Sequence, residues 1–360
     1  MINPQTQYGG DVISRINYTS EKKDGLRELQ QVIMSAINEQ LSHFTEFSGI
    51  GREDIVSLTV TGNTTMLHLL LGVDPLSIAL APFTPKFTDE QVLSGKQLGL
   101  LCHAEAKIRT LPCISGYVGA DIVAGIASIM PSPERDNYLF MDIGTNGELA
   151  LVTPGGVLCC STAAGPAFEG AKISCGMGGV EGAISAYDGQ GFTVIGNIKP
   201  EGICGSGLID LVAHMLEKGL VDADGLLKED YMVTDNISIT QQDIREVQLA
   251  KAAIAAGIKV LIQHAGMNFD QLDAVFLAGG FGNYIQPESA MKIGLIPHQM
   301  EGKIIPLGNT SGSGALLALK STHFSPVVDN LLSRTTYIEL SGNENFTMEF
   351  AMNMGFCIQD

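Results

Sequence analysis

The chain has 360 residues, enough for two average domains and too many for one small core. Apolar residues make up 45% and charged residues only 17%, against the roughly 25% usual in soluble domains, which excludes long disordered or coiled-coil tracts. With 21 Lys and Arg against 39 Asp and Glu the formal charge is −18, a poor basis for binding nucleic acid or an anionic membrane.

In chain order, residues 25–48 carry the strongest helical signal of the first third. Leu26, Leu29, Val32, Ile33, Ala36, Ile37, Leu41 and Phe44 recur at steps of three and four, and Gly49 follows as a stop. A β-rich run, 55–61, then leads through Gly62-Asn63-Thr64-Thr65 into a helical run over 66–71, one βα unit. Residues 72–105 carry Pro75, Pro82 and Pro85 and read mostly as loop with a short helix. The stretch 108–111 is a candidate strand, and a glycine-spaced helix beginning at Gly119 ends at Pro131 and Pro133. That proline pair marks the expected boundary, with a first domain over 1–132 and a second over 133–360.

The second half opens on a strand over 138–143, the turn Gly144-Thr145-Asn146-Gly147 and a β run over 148–152. Pro154-Gly155-Gly156 turns the chain into another run over 157–161, and a further hairpin surrounds Asp188-Gly189. Helices are expected over 205–218, 241–265 and near 287–293, strands over 274–277 and 304–307, and a glycine- and alanine-rich helix last. Hairpins mixed with βα units predict α/β architecture with a mixed sheet in each half. No stretch approaches 18 uninterrupted apolar residues and the N-terminus is not a signal peptide, so the cytoplasm is the expected compartment. The seven cysteines form no CxxC pair and no metal-ligand spacing.

The common nucleotide and hydrolase fingerprints, GxxxxGK[ST], GxGxxG opening a helix, GxSxG and HExxH, are all missing. The most informative string is Phe140-Met-Asp142-Ile-Gly144-Thr145-Asn146-Gly147-Glu148. A buried strand delivers Asp142, able to hold Mg²⁺ directly or through water. The turn after it combines glycines that let a ligand approach the backbone with N–H groups that can cradle an anion. Alone, the string is equally an ordinary hairpin turn, for which Asn-Gly is the commonest choice. Ala278-Gly279-Gly280-Phe-Gly282-Asn283 ends a strand in bare backbone on which a flat purine or ribose can lie, or is simply a strand-to-helix turn. Gly205-Ser206-Gly207 opens a helix whose N–H groups suit a ligand or an ordinary cap. Ser161-Thr162-Ala-Ala-Gly165-Pro166-Ala-Phe168-Glu169-Gly170 is a loop of small residues with two hydroxyls and one carboxylate, able to press against a large flat ligand and equally readable as a surface turn. The pair Cys159-Cys160 invites a redox reading, but neighbours on a strand face opposite ways. His68 in an apolar helix reads as a satisfied core histidine.

In their order these strings resemble the ASKHA superfamily, which includes acetate and sugar kinases, Hsp70 and actin. The resemblance implies two ribonuclease-H-like lobes with mixed sheets around a central cleft that takes ATP. A closer likeness covers nearly the whole chain. Residues 60–66 (VTGNTTM), 81–85 (APFTP), 142–148, 163–170 (AAGPAFEG), 202–210 and 278–284 resemble the ATP-dependent reductive activators of corrinoid proteins. Carried over, the likeness implies ATP and Mg²⁺ as cofactors. Asp142, as catalytic residue and Mg²⁺ ligand, would form the second phosphate loop with Gly144, Thr145, Asn146 and Gly147. Gly279, Gly280, Gly282 and Asn283 would form the adenosine motif, with Gly205, Ser206 and Gly207 also at the nucleotide. Ser161 or Thr162 would face the corrinoid cobalt.

Two departures from the family pattern bear on this. Members carry an iron–sulfur ferredoxin-like domain, and this chain has no cysteine cluster for one, so the electron is expected from a separate donor. The first lobe should open with an Asp-Ile-Gly-Thr-Thr hairpin, and the sequence begins after it, near Asn3-Pro4-Gln5, leaving a truncated lobe with an open sheet edge suited to pairing with another chain, as in a homodimer. The expected function is the ATPase part of an activator that returns Co(II) corrinoid protein to Co(I). The alternatives are a small-molecule kinase of the superfamily, or a partner-binding remnant.

Overall fold

A computed structural model describes residues 3–130, 135–282 and 284–356. In chain order the main elements are α1 (Val12–Glu21), α2 (Gly25–Ser48), β1 (Ser57–Val60), α3 (Thr64–Leu71), β2 (Val92–Ser94), β3 (Lys107–Thr110) and α4 (Ala120–Ile129). Then come β4 (Tyr138–Ile143), β5 (Gly147–Thr153), β6 (Gly156–Thr162), β7 (Ala183–Tyr187), β8 (Phe192–Val194), β9 (Gly202–Ile203) and α5 (Gly205–Glu217). The remainder is β10 (Tyr231–Thr234), β11 (Ile237–Ile239), α6 (Gln241–His264), β12 (Ala274–Ala278), α7 (Pro287–Lys292), β13 (Ile304–Gly308), α8 (Thr310–Lys320), α9 (Phe324–Ser333), β14 (Thr335–Tyr337) and α10 (Glu344–Met352). Among the described residues, no helix is long and apolar enough to cross a membrane.

The chain divides into two compact units, one of Met1–Pro131 with Thr310–Arg334, the other of Ser132–Asn309 with Thr335–Asp360. In the first, β1 and β3 run parallel and β2 joins β3 antiparallel, giving the order β1-β3-β2. Helix α2 has the span its periodicity predicts. Gly49 closes it in the left-handed region at φ 72°, and Leu29, Met34 and Ala36 are buried. Helix α1 has too polar a sequence to announce itself by periodicity, and Asp11 starts it by accepting from the Ser14 N–H at 2.8 Å.

His68 is fully buried in α3 with both ring nitrogens engaged. Nε2 accepts from the Lys86 N–H at 3.1 Å, so Nδ1 carries the proton, donates to Thr64 O at 2.8 Å, and the ring stacks on Phe87. Burial pulls its pKa down, which fits a neutral core histidine.

Helices α4 and α8 cross closely in this unit: a Cβ built on Gly314 would lie 2.3 Å from the Ala124 carbonyl oxygen. Arg109 of β3 fastens the same layer, donating from Nη2 to Ala318 O at 3.0 Å and from Nη1 to Ser325 Oγ at 3.3 Å.

The second unit is built on a six-stranded mixed sheet in the order β13-β12-β4-β5-β6-β14. Strands β4 and β12 lie side by side and parallel at its centre. All five residues of β12 are buried, as are five of the six in β4, which explains their near-continuous apolar sequences. Helix α6 starts at a capping box between Thr240 and Asp243 and packs on β5 and β6. There a Cβ on Gly257 would lie 2.5 Å from Thr162 Cγ2 and 2.7 Å from Leu149 Cδ1. A smaller sheet, β8-β7-β9, leads into α5, and β10 and β11 form a separate hairpin.

The end of the described chain is bound to α6. Buried Lys251 donates from Nζ to Gly355 O and faces the Phe356 ring, while Gln248 donates to Met354 O at 2.9 Å. The mixed α/β class expected from the sequence is the one found. Helices α1, α9 and α10 and strands β2, β10, β11 and β14 lie where the sequence carries no clear periodic signal.

Replacing Gly314 by Val should destabilise the protein by about 1–3 kcal/mol through overpacking, read by denaturant unfolding. Gly10→Ala, where a Cβ meets nothing within 4 Å, serves as the near-neutral control. At the start of α4, burial pushes the Asp121 carboxyl up to about 6, against the partial relief of hydrogen bonds from the Ile122 N–H and its own. The unfolded chain holds fewer protons than the folded one between about 4 and 6, so this group makes stability rise as pH falls through that window. Asp121→Asn should be more stable than wild type at pH 7–8, and the gap should close towards pH 5 in paired thermal melts.

Candidate functional site

The parallel pairing of β4 with β12 sets Asp142 opposite Ala278, so the two strands end side by side. The carboxylate of Asp142 then reaches over Gly279, whose φ is +81°; a Cβ there would fall 2.3 Å from Asp142 Oδ1. No residue but glycine fits that place while the carboxylate is present. From Ile143 the chain turns back through Gly144 to Asn146, closed by Gly144 N–H to Asn146 O at 2.9 Å, and β5 returns with Glu148 opposite Asp142.

These strand ends form one wall of a pocket of about 690 Å³. Asp142, Ile143 and Gly144 contribute from the first hairpin, Phe168 and Glu169 from the loop after β6, and Gly280 and Tyr284 from the turn after β12. Ser185 and Ile195 come from the smaller sheet and its edge, joined by Gly178 and Gly179. Cys204, Gly205 and Ser206 place the N-terminus of the 13-residue α5 at the pocket, where the helix dipole favours an anion. Ser206 itself is a structural pin, donating from Oγ to Ser185 O at 2.7 Å. Buried Asp210, one turn on, accepts from the Tyr187 N–H at 3.1 Å and holds α5 to β7. Burial pushes its carboxyl up, partly offset by hydrogen bonds from Ser289 and the Tyr187 N–H.

Of the residues singled out in the sequence, Asp142, Gly144, Gly205, Ser206 and Gly280 line this pocket. Three glycines are used for packing. A Cβ on Gly147 would meet Thr162 Oγ1 at 2.7 Å, one on Gly207 the Ile184 carbonyl oxygen at 2.3 Å, and one on Gly282 the Leu277 side chain at 3.2 Å. Thr145 points its hydroxyl at Glu169, donating to Oε2 at 2.6 Å. Asn146 closes the turn through its carbonyl, and Asn283 lies outside the described residues. Thr162 is buried, donating to Gly147 O at 3.2 Å, while Ser161 is half-buried opposite Glu148.

Gly178, Gly179, Ser185 and Ile195 carried no signal in the sequence as pocket residues. Phe168 and Glu169 lie in the small-residue loop that the sequence offered to a flat ligand, and Cys204 and Tyr284 lie in its quoted strings without a role of their own. Cys159 and Cys160 are buried, their thiols pushed up by burial, Cys159 to about 12, which leaves them protonated and unreactive. Among the described residues no group of three or more His, Cys, Asp or Glu is placed to hold a metal ion.

Asp142 beside Gly144, the glycine turn and the α5 N-terminus suit a phosphorylated ligand accompanied by Mg²⁺, which takes one or two carboxylates and leaves its other positions to phosphate and water. The apolar side of the pocket, Phe168, Ile195 and exposed Tyr284, suits a flat ring system.

Residues 136–360 match the family described as the C-terminal domain of RACo, the ASKHA domain, and residues 1–130 match the RACo middle region. The chain is 34% identical over 390 residues to "Corrinoid activation enzyme RamQ" of Eubacterium limosum, an alignment covering 99% of this chain and 65% of that protein. It is 26% identical over 393 residues to "[Co(II) methylated amine-specific corrinoid protein] reductase" of Methanosarcina barkeri, covering 98% of this chain and 71% of the other. Among solved structures, a "Reductive activator for corrinoid,iron-sulfur protein" superposes with a TM-score of 0.86 at 34% identity, over 98% of this chain and 61% of its own. The chain thus spans about two thirds of the length of these relatives. Two matches that together run from residue 1 to residue 360 place the chain in the RACo family, as its middle region followed by its C-terminal ASKHA domain.

Proposed function

We propose that this chain is the nucleotide-driven part of a reductive activator that returns a corrinoid protein from Co(II) to Co(I). The observation that carries the reading is the single pocket on which Asp142, the bare backbone at Gly144 and Gly280, and the N-terminus of α5 converge. Nothing but positioning and electrostatics is required of these residues for phosphoryl chemistry. The turn at Gly144 and the α5 N-terminus receive the phosphates, Asp142 holds the metal side, and Phe168, Ile195 and Tyr284 receive the base. Mg²⁺, when bound, offsets phosphate charge beside a protein that already carries −18.

Reduction of Co(II) consumes one electron, supplied by an iron–sulfur donor outside the cysteines of this chain. Nucleotide energy enters as a bias on a two-state equilibrium of the complex with the corrinoid protein. Swinging such an equilibrium from 1:99 to 99:1 takes about 10⁴-fold tighter binding to the favoured state. Half-buried Ser161, near the C-terminal end of β6, is the proposed residue toward the cobalt, with buried Thr162 beside it; a homodimer is a further element of the reading.

Gly280 gives a direct test, because a Cβ there meets nothing within 4 Å and a larger side chain fills the pocket rather than the core. Gly280→Leu should keep the wild-type melting temperature and weaken ATP binding by at least about tenfold, or 1.4 kcal/mol, in calorimetry. Unchanged affinity would sink the assignment of the pocket. For the partner, titration with a corrinoid protein held at Co(II) should show specific binding that changes when ATP and Mg²⁺ are added. Binding no better than that of an unrelated acidic protein would remove the activator reading.

A further inference from the structure

Glu169 and Asp142 are the two acidic side chains lining the pocket, and Glu169 is held there with unusual care. Its neighbour Phe168 is buried, Pro166 opens the short 3-10 turn that ends at Glu169, and this turn packs against α5 and α6. On the other side Gly170 has φ +85°, and a Cβ there would collide with the Met177 backbone at 2.4–2.6 Å. The backbone is therefore fixed from both sides while the carboxylate stands exposed in the pocket.

That carboxylate lies over the turn that would meet phosphate. Oε2 accepts the Thr145 hydroxyl hydrogen at 2.6 Å, and Oε1 sits 3.5 Å from the place a Cβ on Gly144 would take. An anion stationed beside an anion-binding turn opposes phosphate unless a cation comes between them. The opposition is greater in a chain of charge −18. Asp142 alone offers one carboxylate to such a cation, whereas Mg²⁺ beside substrate phosphates is commonly held by one or two.

We propose that Glu169, which accepts from the Thr145 hydroxyl, is the second carboxylate of the nucleotide–metal site and serves with Asp142 on the metal side when nucleotide and Mg²⁺ enter together. The inference rests on the nucleotide reading of this pocket and adds to it a strict requirement for the metal.

The experiment is a calorimetric titration of the full chain with ATP, in EDTA and in excess Mg²⁺, for wild type, Glu169→Gln, Glu169→Asp and Thr145→Val. A parallel titration follows Mn²⁺ by electron paramagnetic resonance in the presence of ATP. Wild type should bind ATP far more tightly with Mg²⁺ than without. Glu169→Gln should lose about 10- to 100-fold of that metal advantage, the usual range for outer partners of a metal site, and hold Mn²⁺ correspondingly less well. In EDTA the same variant should bind ATP at least as well as wild type, because an opposing charge has gone. Glu169→Asp should restore part of the metal dependence, and Thr145→Val, which removes the hydroxyl that holds Glu169 beside the turn, should bind ATP less tightly in excess Mg²⁺ than wild type. An unchanged Mg²⁺ advantage and Mn²⁺ affinity in Glu169→Gln, with ATP binding intact, would overturn this inference alone. Wild type that binds no nucleotide under either condition would overturn the pocket reading and this inference with it.

Discussion

The parallel pairing of β4 with β12 is the constraint from which the second unit is built. Two fully engaged, nearly all-apolar strands at the centre of a six-stranded sheet have no freedom of register, because a slip of one residue would turn every buried side chain over. Their C-terminal ends are therefore fixed relative to each other, and crevices outside such ends are where open α/β sheets bind ligands. The polar work of the pocket begins only where this pairing stops, at Asp142 and Gly279. The rest of the pocket is brought to that edge by secondary means: a helix N-terminus at Gly205, a loop clamped at Gly170, and a diglycine at 178–179.

Polar groups inside both units are used as pins, each with a defined partner. Asp243 serves the start of α6 through Thr240 and also accepts from the Ser174 N–H at 2.7 Å. His68 joins α3 to the loop at Lys86, and Arg109 joins β3 to α8 and α9. Each satisfies the rule that burial of a polar group is tolerable only with its hydrogen bonds made. They fix loops at specific residues of the core, which apolar packing does with less directional precision.

How much of this was legible in the sequence differs by element. The hairpin of β4 and β5 was clear, since an apolar run, a Gly-Thr-Asn-Gly turn and a second apolar run admit few other structures, and α2 was clear from its periodicity and its terminal Gly49. Strand β14 was not, because three residues paired at a sheet edge leave no pattern, and β10 and β11, of four and three residues, are too short to show one. The glycines show the limit most sharply. Gly144 and Gly280 face the pocket, whereas Gly147 and Gly207 in the neighbouring motifs let α6 and β7 come close, and in one dimension the two uses look alike. The carboxylate of Glu169 was visible but its place was not, for a related reason: its partner Thr145 is 24 residues away, and only the return of β5 and β6 brings the two together.

The attachment of the final residues to α6 has a consequence for how variation in this chain should be read. Lys251 gives its ammonium hydrogen bond to a backbone carbonyl, that of Gly355, and Gln248 does the same at Met354. Any amino acid at 354 or 355 can present that oxygen, so a catalogue of tolerated substitutions would mark both positions as indifferent. Shortening the chain by seven residues, by contrast, would remove both acceptors together and leave a cation inside α6 without the carbonyl it faces. Importance at these positions resides in the presence of the chain and not in its letters, a kind of constraint that sequence variability does not record.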